Sequence, residues 1–147
     1  GASRAIVYAL LENKVANIHV VNRTVAKARA MRDSFGHHVH PHSWDSLSEL
    51  LPKAGLLVNT TSLGMHDQPS LEIDLSALSA NAIVSDIVYV PLKTPLLKMA
   101  ELQGLSITNG LQMLLHQAVT GFELWFGVRP FVTQELYDLM ASDITSD

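Results

Sequence analysis

Four short apolar runs, at residues 18–21, 56–59, 82–87 and 105–108, alternate along the chain with stretches of helical period. The helical stretches cover residues 3–13, 24–35, 43–51 and 94–103, and a longer one runs from Asn109 to Gly127. A shorter segment around residues 37–40 and a final helix near 132–141 complete the order. Strands that alternate with helices pair in parallel, because parallel neighbours need a crossover connection. Thr24 stands where an N-cap is needed and Gly36 where the second helix should stop. The pattern predicts an α/β fold with a doubly wound parallel sheet of Rossmann type, followed by C-terminal helices.

Composition narrows the function classes. Of 147 residues, 48% are hydrophobic and 16% charged, which suits a packed core and excludes a disordered chain. A net charge of −4 without a basic stripe argues against nucleic acid as a partner. With no cysteine, disulfides and thiol catalysis are excluded, and a reducing, cytoplasmic setting fits. No apolar run is long enough to span a membrane, so no membrane role is expected.

The stretch NGLQMLLHQAVTGFELWFG places Leu111, Met113, Leu114, Leu115, Val119, Phe122, Leu124, Trp125 and Phe126 around most of one helix. Such a helix needs partners on several sides. Upstream, DIVYVPLKTPLL, from Asp86 to Leu97, ends a strand in a proline turn and starts a new helix at Thr94-Pro95. Together the two segments resemble the C-terminal half of shikimate dehydrogenase. There, D-x-x-Y-x-P-x-x-T-P-L-L precedes G-x-x-M-L-x-x-Q-A-x-x-x-F-x-x-W-x-G. The resemblance covers nearly the whole chain but about half of a family member.

It also bears on where the chain starts. A Rossmann sheet has a central first strand feeding a glycine-rich turn. Here Gly1-Ala2-Ser3 leads directly into a helix and looks like the tail of the family's GAGGA-like loop. The expectation is a fragment whose first strand is missing, the alternative being an ordinary boundary with no lost strand. Residues 1–109 would then form an incomplete NADP-binding domain. Residues 110–147 would be helices that pack on an absent catalytic domain.

Asn22-Arg23-Thr24, with Lys27 one turn on, follows the strand at 18–21. At this point of a dinucleotide fold a carboxylate takes the ribose hydroxyl of NAD, whereas Arg suits the 2′-phosphate of NADP. The family's N-R-T-x-x-[KR]-A agrees with NADP. Plain solvation of a helix start is the alternative for Arg23 and Lys27. Ala2 and Ser3 offer helix N-terminal amides to pyrophosphate. Thr60, Thr61 and Ser62 resemble the family's N-A-T-S-x-G segment along the cofactor groove, the alternative being a loop that satisfies its own backbone.

The resemblance implies that Tyr89 and Gln117 approach the substrate, and that Ile87, Gly110 and Met113 lie beside the nicotinamide. Core packing is the alternative for Ile87 and Met113. The implied reaction is reversible hydride transfer between NADPH and 3-dehydroshikimate, giving shikimate. The family's catalytic Lys and Asp belong to its N-terminal domain. None of the five lysines, Lys14, Lys27, Lys53, Lys93 and Lys98, sits in that context. No catalytic residue is therefore assigned, and the chain alone is expected to be inactive. The surplus apolar surface suggests self-association. An NAD-using quinate/shikimate dehydrogenase, a glutamyl-tRNA reductase and a non-catalytic nucleotide-binding module are the competing readings. HHVHPH, with His37, His38, His40 and His42, reads as an exposed strand or loop rim and not as a metal site.

Overall fold

The computed structural model describes residues 1–145. They form two compact units: residues 1–54 with 77–79, and residues 55–76 with the chain from Ala80 onward. No helix among the described residues is long and apolar enough to cross a membrane.

In the first unit, α1 (Ala2–Glu12), β1 (Ile18–Val21), α2 (Val25–Phe35) and β2 (Val39–His42) follow in order. β1 and β2 are parallel, with Ile18 opposite Val39 and Val21 opposite His42. The connecting α2 makes this a strand–helix–strand unit. Val7, Ile18, Met31 and Val39 are its buried core, with Leu10, Leu11, Val15, Val20 and Phe35 packed against them. Strand residues alternate between faces, so His19, His40 and His42 share the face opposite that core.

The short segment expected around residues 37–40, read as an exposed strand or loop rim, is a strand that runs two residues further, over residues 39–42. Val39 is its one strongly apolar residue, and Pro41 is tolerated because β2 is an edge strand. The helix expected at 43–51 is broken into a 3₁₀ turn (Trp44–Ser46), a single α-turn α3 (Leu47–Leu50) and a second 3₁₀ turn (Leu51–Lys53). Pro52 has no N–H to continue an α-helical ladder.

The second unit has three parallel strands in the order β3–β4–β5: β3 (Leu56–Asn59), β4 (Ile83–Asp86) and β5 (Ser106–Thr108). α4 (Pro95–Leu102) is the crossover from β4 to β5. Its first turn is pre-set by Pro95, and the Thr94 hydroxyl accepts from the Leu97 N–H at 3.4 Å. Leu96, Leu97 and Ala100 form its buried face. α5 (Gly110–Phe126) is capped by Asn109, whose Oδ1 accepts from the Leu111 N–H at 3.2 Å. It ends at Gly127 in the left-handed region, with φ 70°. The last helix, α6 (Gln134–Thr145), starts later than expected because Thr133 Oγ1 accepts from the Leu136 N–H.

α5 is held to the sheet at its first residue. A Cβ on Gly110 would collide with the Ile87 carbonyl and the Val88 backbone, and the Gly110 N–H donates to the Val88 carbonyl at 3.0 Å. Beyond that anchor only Leu111 and Val119 are buried, while Leu124 and Trp125 are each 80% exposed. The expectation of surplus apolar surface on this helix therefore holds within the described residues.

The two α5 glycines should respond oppositely to alanine. Gly110→Ala forces the backbone contact apart and should cost about 1–3 kcal/mol or more. Gly121→Ala meets only the Trp125 ring at ordinary contact distance and should gain about 1 kcal/mol of helix propensity. Urea unfolding of both variants checks this; equal effects would contradict it.

The histidine face sets a pH response. The His19 ring lies 5.1 Å from that of His40, and its Nδ1 is 2.9 Å from His42 Nε2. Burial first, then His42, His40 and Lys53, hold His19 below its ordinary value of 6.5. The unfolded chain therefore takes up this proton before the folded one. This contribution is nil well above 6.5, destabilises as pH falls from 6.5 toward the lower folded value, and levels off beneath it. His19→Gln should flatten the fall in melting temperature between about pH 7 and pH 5. Parallel pH profiles for variant and parent would contradict this.

Candidate functional site

At the carboxyl ends of β3 and β4, one carboxylate gathers three segments. Asp86 is 1% exposed, and no basic group among the described residues bonds to it. Its Oδ1 accepts from Asn59 Nδ2 and from the Val88 N–H, both at 3.0 Å, and its Oδ2 accepts from Thr94 Oγ1 at 2.7 Å. Asn59 and Thr94 are themselves buried. The remaining Asn59 amide hydrogen goes to the Leu63 carbonyl at 3.1 Å. Asn59 Oδ1 accepts from the Thr61 N–H at 3.0 Å and the Thr61 hydroxyl at 2.8 Å. Thr61 Oγ1 in turn accepts from the Leu63 N–H. No buried side-chain polar atom is left without a partner among the described residues, as a folded interior requires.

This arrangement sorts the residues expected at the cofactor groove. The Thr61 hydroxyl is committed to the loop itself, as the self-satisfying alternative described. Thr60 is half-buried, and Ser62 is exposed. Ile87 follows Asp86 directly, and its N–H donates to the Asn59 carbonyl at 3.1 Å. The second unit thus brings Thr60, Thr61, Ser62, Ile87, Tyr89 and Gly110 to one end of the sheet. Such strand ends are where open α/β folds bind ligands.

Met113 and Gln117 continue from Gly110 at helical spacing, so the three share a face of α5. Met113 is 38% and Tyr89 37% exposed. Gln117 is also exposed. Met113 is therefore not a core residue within this chain. The peptide between Val90 and Pro91, next to Tyr89, is cis.

The first unit holds the other group. Asn22 Oδ1 accepts from the Thr24 N–H at 2.9 Å, closing a tight turn at the tip of β1. Thr24 occupies the N-cap position of α2, but its side chain makes no capping bond. The hydroxyl is left to other partners. Arg23 and Lys27 are exposed and form no ion pair among the described residues. Ala2 and Ser3 open α1, whose N-terminus carries no side-chain cap. These are the features an anionic ligand needs: unpaired cations, free N–H groups and a hydroxyl.

Sequence reasoning missed the hub itself. Asp86 and Thr94 are visible as the first and ninth residues of DIVYVPLKT, but an isolated Asp and Thr carry no sign of mutual burial. The cleft bordered by Lys93, Thr108, Asn109, Gln112 and Tyr137, about 130 Å³, contains none of the expected site residues. Its lysine is already paired with Glu101 at 2.7 Å.

Known proteins of one family match this chain. Residues 1–88 match the family described as "Shikimate / quinate 5-dehydrogenase". Residues 110–131 match "Shikimate 5'-dehydrogenase C-terminal domain". Among curated relatives, the shikimate dehydrogenase (NADP(+)) of Nitrobacter winogradskyi is 58% identical over 144 residues, covering 98% of this chain and 52% of the relative. The quinate dehydrogenase of Corynebacterium glutamicum, solved with NAD, superposes with a TM-score of 0.82 at 28% identity. It covers 100% of this chain and 52% of that protein. Shikimate 5-dehydrogenase from Thermus thermophilus, solved with NADP(H) and shikimate, gives 0.79 at 31% identity, covering 97% and 51%. The chain spans about half the length of the curated relatives it matches. Parallel strands with helical crossovers and these matches establish a Rossmann-type fold, and the chain belongs to the shikimate/quinate 5-dehydrogenase family.

Proposed function

We propose that this chain provides the NADP-binding part of an enzyme that reversibly reduces 3-dehydroshikimate to shikimate. The observation that carries this reading is Arg23 at the tip of β1, unpaired among the described residues, with Lys27 one turn on and no carboxylate from Asn22 to Thr24. A guanidinium there suits the 2′-phosphate of NADP, and a carboxylate would suit NAD. Names of relatives at 54–58% identity, all shikimate dehydrogenase (NADP(+)), support it.

Arg23 and Lys27 would grip the 2′-phosphate, with Asn22 and the free Thr24 hydroxyl toward the ribose. The amides of Ala2 and Ser3 would face pyrophosphate. Thr60, Ser62, Ile87, Gly110 and Met113 would border the nicotinamide, and the Tyr89 hydroxyl and Gln117 amide would hold the polar substrate. When bound, the cofactor supplies the hydride. Carbonyl reduction also needs a proton donor at the forming alkoxide, and in this reading a Lys and an Asp outside the chain provide it. Lys93 is engaged with Glu101 and is not that donor. Absence of shikimate oxidation by the isolated chain is expected; measurable turnover would overturn this assignment.

Residues 110–147 form, in this reading, the segment that packs on the catalytic half, the described part being α5, α6 and their link. Leu124, Trp125, Phe126 and Phe131, exposed at 80%, 80%, 64% and 89%, support it. Without that half the chain should self-associate. Trp125→Gln with Phe126→Gln should lower the sedimenting mass at high concentration; a parent that stays monomeric would contradict this. The lack of cysteine fits a cytoplasmic setting.

The cofactor assignment has a direct test. Arg23→Ala should weaken NADP binding by about tenfold or more, roughly 1.4 kcal/mol, while leaving NAD binding unchanged. Calorimetric titration of both cofactors checks this. Preference for NAD in the parent chain would favour the quinate-type reading instead.

A further inference from the structure

We propose that Asp86 is a positioning residue, which sets the geometry of the cofactor loop and the substrate strand together without touching either ligand. The inference rests on the functional reading above and deepens it. Three segments that carry candidate ligand contacts lead back to this one side chain. Through Asn59 it reaches the loop at 60–64, because the Asn59 amide bonds both Asp86 and the Leu63 carbonyl while its oxygen holds Thr61. Through the Val88 N–H it fixes the backbone between Ile87 and Tyr89. The Val88 carbonyl then receives the Gly110 N–H at 3.0 Å, so the start of α5 is set by the same link. Through Thr94 it fixes the α4 N-terminus, against which Gly64 packs, a Cβ there lying 3.4 Å from the Thr94 Cβ.

The chemistry favours this role over simple core filling. An apolar side chain would fill the space but would leave three buried donors without an acceptor. A carboxylate is an acceptor only, with two oxygens that can serve donors from different segments at once. With 1% exposure, Asp86 offers nothing to a ligand. Its bonds end on Asn59, Val88 and Thr94, of which Asn59 precedes Thr60 and Val88 stands between Ile87 and Tyr89.

The test compares Asp86→Asn with Val84→Ala, a buried apolar position two residues earlier on β4, under conditions chosen to match their stability. The Asn side chain can keep one acceptor, but it turns an amide toward Thr94 and strands the hydroxyl proton. Asp86→Asn should weaken NADP about tenfold and leave adenosine bisphosphate, the 2′-phosphorylated adenosine portion alone, unchanged. Amide exchange at Thr61, Leu63 and Val88 should speed up in Asp86→Asn and not in Val84→Ala. Should Asp86→Asn fail to fold, Thr94→Val makes the same test, with Thr94→Ser restoring the parent behaviour. Equal loss for both probes, or exchange that follows stability alone, would overturn the inference. A parent chain that binds neither probe would refute the functional reading, and the exchange comparison would still decide the role of Asp86.

Discussion

A buried carboxylate without a cation is costly unless donors surround it, and the second unit is arranged around that requirement at Asp86. The three donors it receives come from a strand end, a loop amide and a helix cap. They are spread along the sequence from Asn59 to Thr94. Residues 59, 88 and 94 meet because the parallel register places Asn59 beside Asp86 and the proline turn brings Thr94 back over β4. Loss of the acceptor would expose each segment to its own desolvation cost, so the loop after β3, the end of β4 and α4 rise or fall together.

The first unit follows the opposite rule. Its candidate ligand groups are left unsatisfied among the described residues: Arg23 and Lys27 lack acids, and Thr24 does not cap its helix. Only the Asn22–Thr24 turn is fixed, and it sets where the guanidinium departs from the strand. Rigid backbone with uncommitted polar side chains is the arrangement a charged ligand exploits, since little reorganisation is needed on binding. The second unit keeps exposed polar groups as well, in Tyr89 and Gln117, beyond a scaffold that is fully bonded.

Much of this was legible from residues alone. The alternating periods carry the parallel α/β order, the start of α4 falls at Thr94-Pro95, and α5 stops at Gly127; that Asn109 caps α5 is added by the structure. Candidate residues near motif glycines and strand ends stand out in the sequence because backbone needs force those residue types. β2 is harder, since four residues with one Val and one Pro carry almost no alternation. The break at Pro52 follows from a missing donor that helical periodicity does not count. The Asp86 hub escapes because burial of a short polar side chain depends on register between strands, which no local pattern contains. The motif marks Gly110 as giving room to a ligand; the structure adds that it gives room to the Ile87 carbonyl.

The apolar side of α5 and the link beyond it shows how such a helix can be well formed and still expose Trp125 and Phe131. Its ends are fixed by Asn109 and Gly127, and Asn109 also donates to the Tyr137 hydroxyl at 2.9 Å, tying α6 to the start of α5. Local capping thus shapes the helix independently of whatever covers its outer face. The central claim, that this chain carries the seat of a 2′-phosphorylated dinucleotide, is tested most directly by backbone NMR during NADP titration. The account predicts shifts concentrated at Asn22, Arg23, Thr24 and Lys27, with a second set at Thr60, Ser62 and Ile87. Saturating NADP that leaves the Asn22–Lys27 resonances unmoved would contradict it.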